Sequence, residues 1–272
     1  MTKIQALILG LLQGITEFLP ISSKGHLVIV QQLMGYKDNP LFFDVMLHLG
    51  TTLVVLVYFR RDILALIGSL MGRDSEGWPG TAAQGRRVVL WIIIGTIPAA
   101  AAGVLFKHIL EPTYKSSLYA GFGLLVTATV LAIADRISVG EREAESLGPV
   151  GSLIVGVGQA FALLPGISRS GSTICASIFM KLNRRDAARY SFLLSVVAIL
   201  GAAVMELKEA HHTGMGHIHM SVVLIGVVAS FVSGLFALNL LVRVLTRGRL
   251  IWFAAYCAFA GIAAIAIGVL IG

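Results

Sequence analysis

Charged residues are scarce in this chain. Asp, Glu, Lys and Arg make up only 13% of its 272 residues, against roughly 25% in a typical globular protein. Hydrophobic residues account for 57%, and the mean hydropathy is +0.87. So few charges could not cover a water-facing surface, which excludes a soluble enzyme, a disordered chain and a nucleic-acid-binding domain. The composition predicts an integral membrane protein.

Cysteine is also scarce. The two cysteines are Cys175 and Cys257, and neither belongs to a CxxC pair or to a spacing typical of metal ligands. This excludes a disulfide framework and a zinc site. We expect both to be small apolar residues packed in the interior.

Six apolar stretches are long enough to predict membrane crossings. A hydrocarbon core of about 30 Å requires roughly 20 apolar residues, and the backbone there must satisfy its own hydrogen bonds, which favours helices. The stretches are residues 43–59, 88–106, 116–134, 190–205, 220–242 and 250–272. The sequence therefore predicts an all-α, polytopic membrane protein with six transmembrane helices.

Two further apolar regions, residues 4–36 and 150–182, are interrupted near their middle. The interruptions are PISSKG at 20–25 and PGISRSG at 165–171, which share the pattern P-I-S-x-x-G when Gly166 is treated as an insertion. Each flanking half has roughly 12 to 16 residues, too few to cross a bilayer. We therefore predict two re-entrant helix hairpins.

The two interrupted regions divide the chain into similar halves, residues 1–134 and 150–272. If spans alternate and each hairpin returns to its own side, most of the 21 Lys and Arg residues lie on one side. The exceptions are Lys24 and Arg169 in the interruptions and, on the other side, Lys3, Lys37, Lys107, Lys115 and Lys208. The positive-inside rule makes the richer side cytoplasmic and places both termini outside. The halves then have inverted topology, with their tips meeting near the bilayer centre.

The first tip carries groups suited to acid–base chemistry. Ser23 and His26 are three residues apart, so on a helix they share a face, and the imidazole could take the hydroxyl proton as a general base. Gln13 and Glu17 are four apart on the preceding half-helix and share a face as well. Their oxygens could hold a divalent cation, Mg²⁺ or Ca²⁺, that bridges to a phosphate.

The second tip has the features of an anion site. The backbone amides after Gly166 lead into a helix N-terminus, and Arg169 offers a planar fork of donors suited to phosphate. One alternative is that Arg169 only forms a salt bridge with a carboxylate such as Glu17. Five residues of the two tips are candidates for binding phosphate: Ser22, Gly166, Ser168, Ser170 and Thr173.

Two other polar features of the sequence each allow two interpretations. Asp44 and His48 are four apart at a helix start, where they would either support the first tip or cap the helix. The histidine-rich segment at 208–219 is typical of a solvated outer loop, with metal capture as the alternative.

Three motifs resemble those of the bacitracin-resistance family of undecaprenyl-diphosphate phosphatases. They are QGITEFLPISSKGH at 13–26, FDVMLHLGT at 43–51 and PGISRSGST at 165–173, and the resemblance extends over essentially the whole chain. It implies hydrolysis of undecaprenyl diphosphate to undecaprenyl phosphate and inorganic phosphate. It also implies a bacterial cytoplasmic membrane protein that recycles the lipid carrier of peptidoglycan synthesis and confers bacitracin resistance.

The same resemblance implies a role for each matching residue. Ser23 would be the nucleophile or would orient water, His26 would be its base, and Glu17 would be a metal or proton partner. Arg169 would clamp the phosphate together with Ser168, Ser170 and Thr173. The first carboxylate position of the family motif is Gln13 here, an allowed variant that leaves Glu17 as the only certain anion of the metal site.

The main alternative function is a transporter that flips a prenyl phosphate lipid, because inverted repeats with broken helices are also carrier architecture. Other membrane lipid phosphatases are excluded, since no histidine follows Ser168 and Arg169 at the spacing that they require. The expected partners are a polyprenyl diphosphate lipid and the membrane, with no nucleic acid. The sequence leaves the oligomeric state open, with a homodimer as one candidate.

Overall fold

The computed structural model describes residues 1–36, 41–213, 219–247 and 249–271. Within these ranges the chain is helical and forms no β-strand. The helices are α1 (Lys3–Phe18), α2 (Ser23–Leu33), α3 (Leu41–Tyr58), α4 (Arg60–Leu70), α5 (Ala82–Leu105), α6 (Lys107–Leu110), α7 (Ser117–Arg136), α8 (Gly148–Phe161), α9 (Arg169–Phe179), α10 (Arg184–Thr213), α11 (Met220–Arg247) and α12 (Ile251–Ile271).

The long apolar helices confirm the predicted polytopic membrane protein. Among the described residues, α5, α7, α10, α11 and α12 are each long and apolar enough to cross a bilayer, and α3 with α4 forms a sixth, bent candidate. The predicted crossing at residues 190–205 lies within α10, which begins earlier, at Arg184. Two charged residues in its first turns, Asp186 and Arg189, are ion-paired within the protein, so the helix extends past the apolar stretch.

Helix α4 was not anticipated by the sequence. It follows α3 after a bend of 73°, at the point where Arg60 and Arg61 end the apolar run. Leu66 and Ser69 of α4 are buried, whereas Leu64 is 66% exposed. One face of α4 therefore packs against the protein, including α5, and the other is left apolar and uncovered.

The two interrupted regions form helix–break–helix units, as predicted. Helices α1 and α2 are separated by the turn at 19–22, and α8 and α9 by the turn at 162–168. These helices have 16, 11, 14 and 11 residues, and at 1.5 Å per residue the longest reaches about 24 Å, short of a bilayer core. Their depth in the membrane and the inverted relation of the two halves stay predictions.

Helix α7 fixes the second tip through Gly166. Thr127 Oγ1 donates a hydrogen bond to the Gly166 carbonyl at 2.8 Å and accepts one from the Ser168 amide at 2.9 Å. Gly166 has φ +86°, and a Cβ there would lie 2.7 Å from the Leu124 amide nitrogen. Glycine is required because both the backbone conformation and the contact with α7 exclude a side chain.

Some residues of the predicted outer loops fall outside the described ranges. They are Lys37 and residues 214–218 of the histidine-rich segment. The first part of that segment is not a loop, because α10 continues to Thr213.

Candidate functional site

A buried carboxylate lies at the centre of the site. Ser23 Oγ donates a hydrogen bond to Glu17 Oε2 at 2.5 Å, and Gln13 Nε2 donates to the same oxygen at 3.0 Å. Arg169 Nη2 donates to Glu17 Oε1 at 2.6 Å. Glu17 is only 7% exposed, and a carboxylate in such surroundings is stable only when it is paired and hydrogen-bonded. The guanidinium and the two neutral donors meet that requirement.

These contacts join the two hairpins. Gln13 and Glu17 lie near the end of α1, Ser23 is the first residue of α2, and Arg169 is the first residue of α9. A second link is the hydrogen bond from Ser170 Oγ to the Leu19 carbonyl at 3.3 Å. The prediction that the two tips meet is confirmed. The salt bridge between Glu17 and Arg169, which was the alternative interpretation, is also present. It involves Nη2 of Arg169 and leaves Nη1 without a hydrogen-bond partner.

Two helix N-termini converge on this centre. Ser22 Oγ accepts a hydrogen bond from the Gly25 amide at the start of α2, and Ser168 Oγ accepts one from the Gly171 amide at the start of α9. Both are N-caps, which hold the first turn of a helix and its remaining amide donors in place. Helix N-termini attract anions through these amides and through the helix dipole.

A cavity of about 320 Å³ opens beside the converging tips. Its wall is apolar along α3, α5 and α10, where Val45, Ala99 and Val197 contribute. Its polar end is formed by Glu17, Ser22, Ser23, Lys24, Asp44, His48, Gln159, Ser168 and Arg169. A polar end and an apolar wall suit a ligand that combines a charged head group with a hydrocarbon chain.

Several buried polar atoms at this end have no hydrogen-bond partner among the described residues. They include Arg169 Nη1 and both amide atoms of Gln159, and Gln159 is only 3% exposed. An unsatisfied buried polar group costs about 1–3 kcal/mol. Unpaired N–H donors that line one cavity indicate a ligand rich in acceptor oxygens, such as a phosphate.

The structure does not pair His26 with Ser23, although the sequence predicts that the two share a helix face. His26 Nδ1 lies 2.8 Å from the Ser22 carbonyl, which can only accept, so Nδ1 is the donor. In the neutral ring Nε2 is then an acceptor, and the Tyr256 hydroxyl occupies it at 2.8 Å. The cavity lining does not include His26. Side chains on a helix point back toward its N-terminus, which directs Ser23 toward Glu17 rather than toward the residue one turn ahead.

The predicted phosphate ligands divide into two groups. Ser22 and Ser168 line the cavity. Ser170 and Thr173 lie behind it and support the tips, since Ser170 Oγ bonds to Leu19 and Thr173 Oγ1 bonds to the Arg169 carbonyl and to Ser191. Gly166 also lies behind the cavity, against α7.

Two side chains of α3 complete the polar end. His48 Nδ1 donates to the Asp44 carbonyl at 2.7 Å, and His48 Nε2 lies 3.7 Å from Glu17 Oε2. Asp44 Oδ1 accepts from Gln31 Nε2 at 2.7 Å. Of the two interpretations of this pair, the contact with Glu17 favours support of the first tip.

Gln159 and Tyr256 are site residues that sequence reasoning missed. Gln159 could have been recognised from the sequence, because it is an amide side chain within the apolar half-helix GSLIVGVGQAF. Polar groups at membrane depth tend to be functional. Tyr256 carried no such signal. It lies 230 residues from its partner His26, and only the packing of α12 brings it there.

The side chains at this site meet the requirements of a divalent-cation site only in part. Among the described residues no three His, Cys, Asp or Glu side chains cluster as a metal cage would require. Gln13 Oε1 is buried without a hydrogen-bond partner, however, and it lies next to Glu17. Mg²⁺ commonly uses one or two protein oxygens and takes the rest from substrate phosphates and water. Glu17 and Gln13 fit that kind of site.

Comparisons with known proteins agree with the three motifs. Residues 6–263 match the family described as "Bacitracin resistance protein BacA". A protein of Carboxydothermus hydrogenoformans named undecaprenyl-diphosphatase is 40% identical over 264 residues, 96% of each chain. Proteins with the same name are 39% identical in Alkaliphilus metalliredigens, over 94% of this chain and 95% of the relative, and 41% identical in Korarchaeum cryptofilum, over 95% and 97%.

Proposed function

The chain belongs to the BacA family of bacitracin resistance proteins, and we propose that it hydrolyses undecaprenyl diphosphate at the junction of its two hairpin tips. The products are undecaprenyl phosphate and inorganic phosphate. One observation carries the assignment to this site: the Ser23 hydroxyl is hydrogen-bonded to Glu17 beside the unpartnered Nη1 of Arg169. A potential nucleophile, its base and an anion donor therefore lie together.

The diphosphate binds at the polar end of the cavity. Arg169 Nη1 and Gln159 Nε2 donate to its oxygens, as do the amides at the N-termini of α2 and α9. Lys24 lines the same end, with its ammonium 4.7 Å from the centre of the Tyr114 ring. The apolar wall receives the first isoprenyl units, and the remainder of the chain extends into the lipid.

The hydrolysis proceeds through Ser23. Its oxygen attacks the terminal phosphorus while Glu17 Oε2 takes the hydroxyl proton, and the bond to the undecaprenyl phosphate oxygen breaks. The departing undecaprenyl phosphate oxygen takes that proton from Glu17. Water then attacks the phosphorylated Ser23, Glu17 accepts a proton from the water, and this proton passes to the Ser23 oxygen as inorganic phosphate leaves. A divalent cation held by Glu17 and Gln13 Oε1 would neutralise charge on the diphosphate.

Phosphate release from purified protein tests this function. In detergent micelles, undecaprenyl diphosphate should yield inorganic phosphate, whereas undecaprenyl phosphate should not. A protein that binds the diphosphate lipid and releases no phosphate would be the transporter of the alternative interpretation. The names of the relatives favour the hydrolase.

In the cell, the reaction returns undecaprenyl phosphate to peptidoglycan synthesis, and this recycling explains resistance to bacitracin. We place the protein in the bacterial cytoplasmic membrane with both termini outside, on the distribution of its Lys and Arg residues. We also propose a homodimer, which the mass of the detergent-solubilised protein would test.

The proposed topology predicts where reporters will be found. A reporter fused after Arg73 should be cytoplasmic, and one fused at His212, near the end of α10, should lie outside. The reason is that Lys and Arg residues next to membrane spans are retained on the cytoplasmic side. Alkaline phosphatase and green fluorescent protein fusions at both positions provide the measurement. Both reporters on one face would refute the inverted halves.

Removing the amide of Gln159 should have opposite effects on activity and stability. Gln159→Leu should raise KM by about ten-fold, because one donor to the diphosphate is lost. The midpoint of thermal unfolding should rise, since two unsatisfied buried polar atoms are replaced by apolar ones. Gln31→Leu is the matched control, because Gln31 Nε2 already bonds to Asp44 and its loss should lower stability. A KM unchanged in Gln159→Leu would remove this residue from the substrate site.

We propose that His26 is a positioning residue, so its replacement should have an intermediate effect. His26 anchors the Ser22 carbonyl, and Ser22 has a strained φ of +70°. His26→Asn should lower turnover by roughly 10–100-fold, as is usual for residues that orient a reacting group. The shape of the pH–rate profile should be unchanged, because Glu17 and not His26 takes the proton. If the pH–rate profile of His26→Asn lost its acidic limb, His26 rather than Glu17 would be the base.

A further inference from the structure

A second pocket lies away from the catalytic cavity. It has a volume of about 130 Å³ and opens between the bend that joins α3 to α4, the start of α10 and the end of α11. It shares no lining residue with the catalytic cavity. Tyr58, on its wall, is ten residues beyond His48 on α3, a distance of about 15 Å along the helix.

Three arginines, Arg184, Arg185 and Arg189, line this pocket. Arg189 is ion-paired with two carboxylates, since its Nε lies 3.1 Å from Asp62 and its Nη1 lies 3.4 Å from Asp186. It also stacks on the Trp78 ring at 4.7 Å. Arg189 is therefore fixed in place as part of the wall.

Arg184 and Arg185 leave the pocket positively charged. Neither lies within ion-pair distance of a carboxylate in the part of the chain that the structure describes, although Arg185 is close enough to Asp62 to attract it electrostatically. Arg184 Nη1 is buried there without a hydrogen-bond partner. A buried guanidinium N–H that lacks an acceptor is costly, and its planar fork matches the oxygens of a phosphate. The pocket thus has a charge and a donor that an anion would satisfy.

The rest of the lining indicates that this anion carries an apolar group. Tyr58, Phe59, Val242 and Leu245 form the other walls. Beside the pocket, α4 leaves apolar side chains such as Leu64 uncovered, as expected of a helix that lies in a membrane interface. With the topology proposed above, the pocket is at the cytoplasmic interface, where basic pockets between spanning helices hold anionic lipid head groups.

We propose that this pocket binds the phosphate of an anionic phospholipid from the cytoplasmic leaflet. Arg184 and Arg185 hold the phosphate, and the apolar walls contact the glycerol and the upper acyl chains. The inference does not depend on the hydrolysis of undecaprenyl diphosphate. Free inorganic phosphate has the same chemistry as the phosphate of the lipid head group. The experiment must therefore compare the phospholipid with inorganic phosphate directly.

The test uses the purified full-length protein in micelles of an uncharged detergent. Phosphatidylglycerol, phosphatidylcholine and inorganic phosphate are titrated separately, and the midpoint of thermal unfolding is followed. Phosphatidylglycerol should raise the midpoint to a plateau, and the other two should not. In the Arg184→Gln/Arg185→Gln variant the half-saturating concentration should rise by at least about ten-fold. Phosphate release should remain, because neither arginine belongs to the catalytic cavity.

A matched control separates this site from general charge effects. Arg73→Gln/Arg87→Gln removes the same charge from two exposed arginines outside the pocket and should keep the wild-type response. The proposal would be overturned if phosphatidylglycerol binding weakened equally in both variants, or if it did not weaken in Arg184→Gln/Arg185→Gln. It would also be overturned if inorganic phosphate raised the unfolding midpoint as much as phosphatidylglycerol does. If the glutamine variant fails to fold, Arg184→Lys/Arg185→Lys keeps the charge and removes the fork. Weaker phosphatidylglycerol binding in that variant supports the site, and unchanged binding refutes it.

Discussion

Ser23→Ala should nearly abolish phosphate release from undecaprenyl diphosphate. Turnover should fall by at least about 1,000-fold, because the variant lacks the oxygen that we propose attacks the terminal phosphorus. Binding of the diphosphate lipid should persist, since Arg169, Gln159 and the two helix N-termini remain. Phosphate release and lipid binding by the purified protein, measured side by side, provide the result.

Ser177→Ala is the control for this variant. Ser177 is another buried serine, its hydroxyl donates to the Thr173 carbonyl, and it does not line the cavity. It should retain turnover. Normal phosphate release by Ser23→Ala would refute the role of this hydroxyl in the chemistry. Loss of lipid binding together with hydrolysis would place Ser23 among the phosphate ligands instead.

A trapping experiment separates attack by Ser23 from attack by a water that Ser23 orients. With substrate labelled in its terminal phosphate, acid quenching during turnover should leave label on the wild-type protein. Ser23→Ala should carry none. If the wild-type protein is also unlabelled while it turns over, water is the nucleophile and Ser23 orients it.

The helices and their breaks were predictable from the sequence because they follow from local physics. Long apolar runs must be helical in lipid, and the clusters at Pro20 and Pro165 interrupt them because proline lacks an amide donor. The contact between the tips was predictable for a different reason. Glu17 and Arg169 are opposite charges within apolar surroundings, where each needs a partner.

The pairing within the first tip could not be predicted from spacing alone. Ser23 and His26 are three residues apart, which is the spacing of helical neighbours, but Ser23 is the first residue of α2 and its side chain faces back across the turn toward Glu17. His26 finds its partner on α12. Spacing within one helix indicates which residues share a face, and tertiary packing decides what that face contacts.

The bend between α3 and α4 was unpredictable for a similar reason. A cluster of charges at Arg60, Arg61 and Asp62 normally marks the end of a membrane span, and the apolar run of α3 ends there. The chain nevertheless continues as a helix, because Asp62 pairs with Arg189 on α10 and Leu66 is buried. That ion pair is formed by residues far apart in sequence, and it also shapes the arginine pocket.

The enzyme and carrier interpretations require different parts of the same site. A carrier of prenyl phosphate needs the donors of Arg169, Gln159 and the helix N-termini. It does not need a hydroxyl hydrogen-bonded to a buried carboxylate. The 2.5 Å contact of Ser23 with Glu17 is therefore the feature that distinguishes hydrolysis from transport at this junction.

Arg169→Lys should lose most of the activity although it keeps the charge. In the proposed mechanism Arg169 performs two tasks with one planar group: Nη2 bonds to Glu17, and Nη1, which has no hydrogen-bond partner, binds phosphate. A lysine ammonium is a point charge and cannot hold both partners in the same geometry. Turnover should fall by about 100-fold or more, the usual effect of removing a donor that stabilises the transition state.

Stability distinguishes this loss of function from a loss of fold. Arg169→Lys should unfold near the wild-type temperature, because Glu17 keeps a cationic neighbour. Arg169→Gln should be destabilised by about 3–5 kcal/mol, since it leaves a buried carboxylate unpaired. Glu17→Gln/Arg169→Gln should recover much of that stability and remain inactive, because it removes both charges along with the base and the phosphate donor. Wild-type turnover in Arg169→Lys would reduce Arg169 to a structural partner of Glu17, and Gln159 with the helix N-termini would then have to bind the phosphate alone.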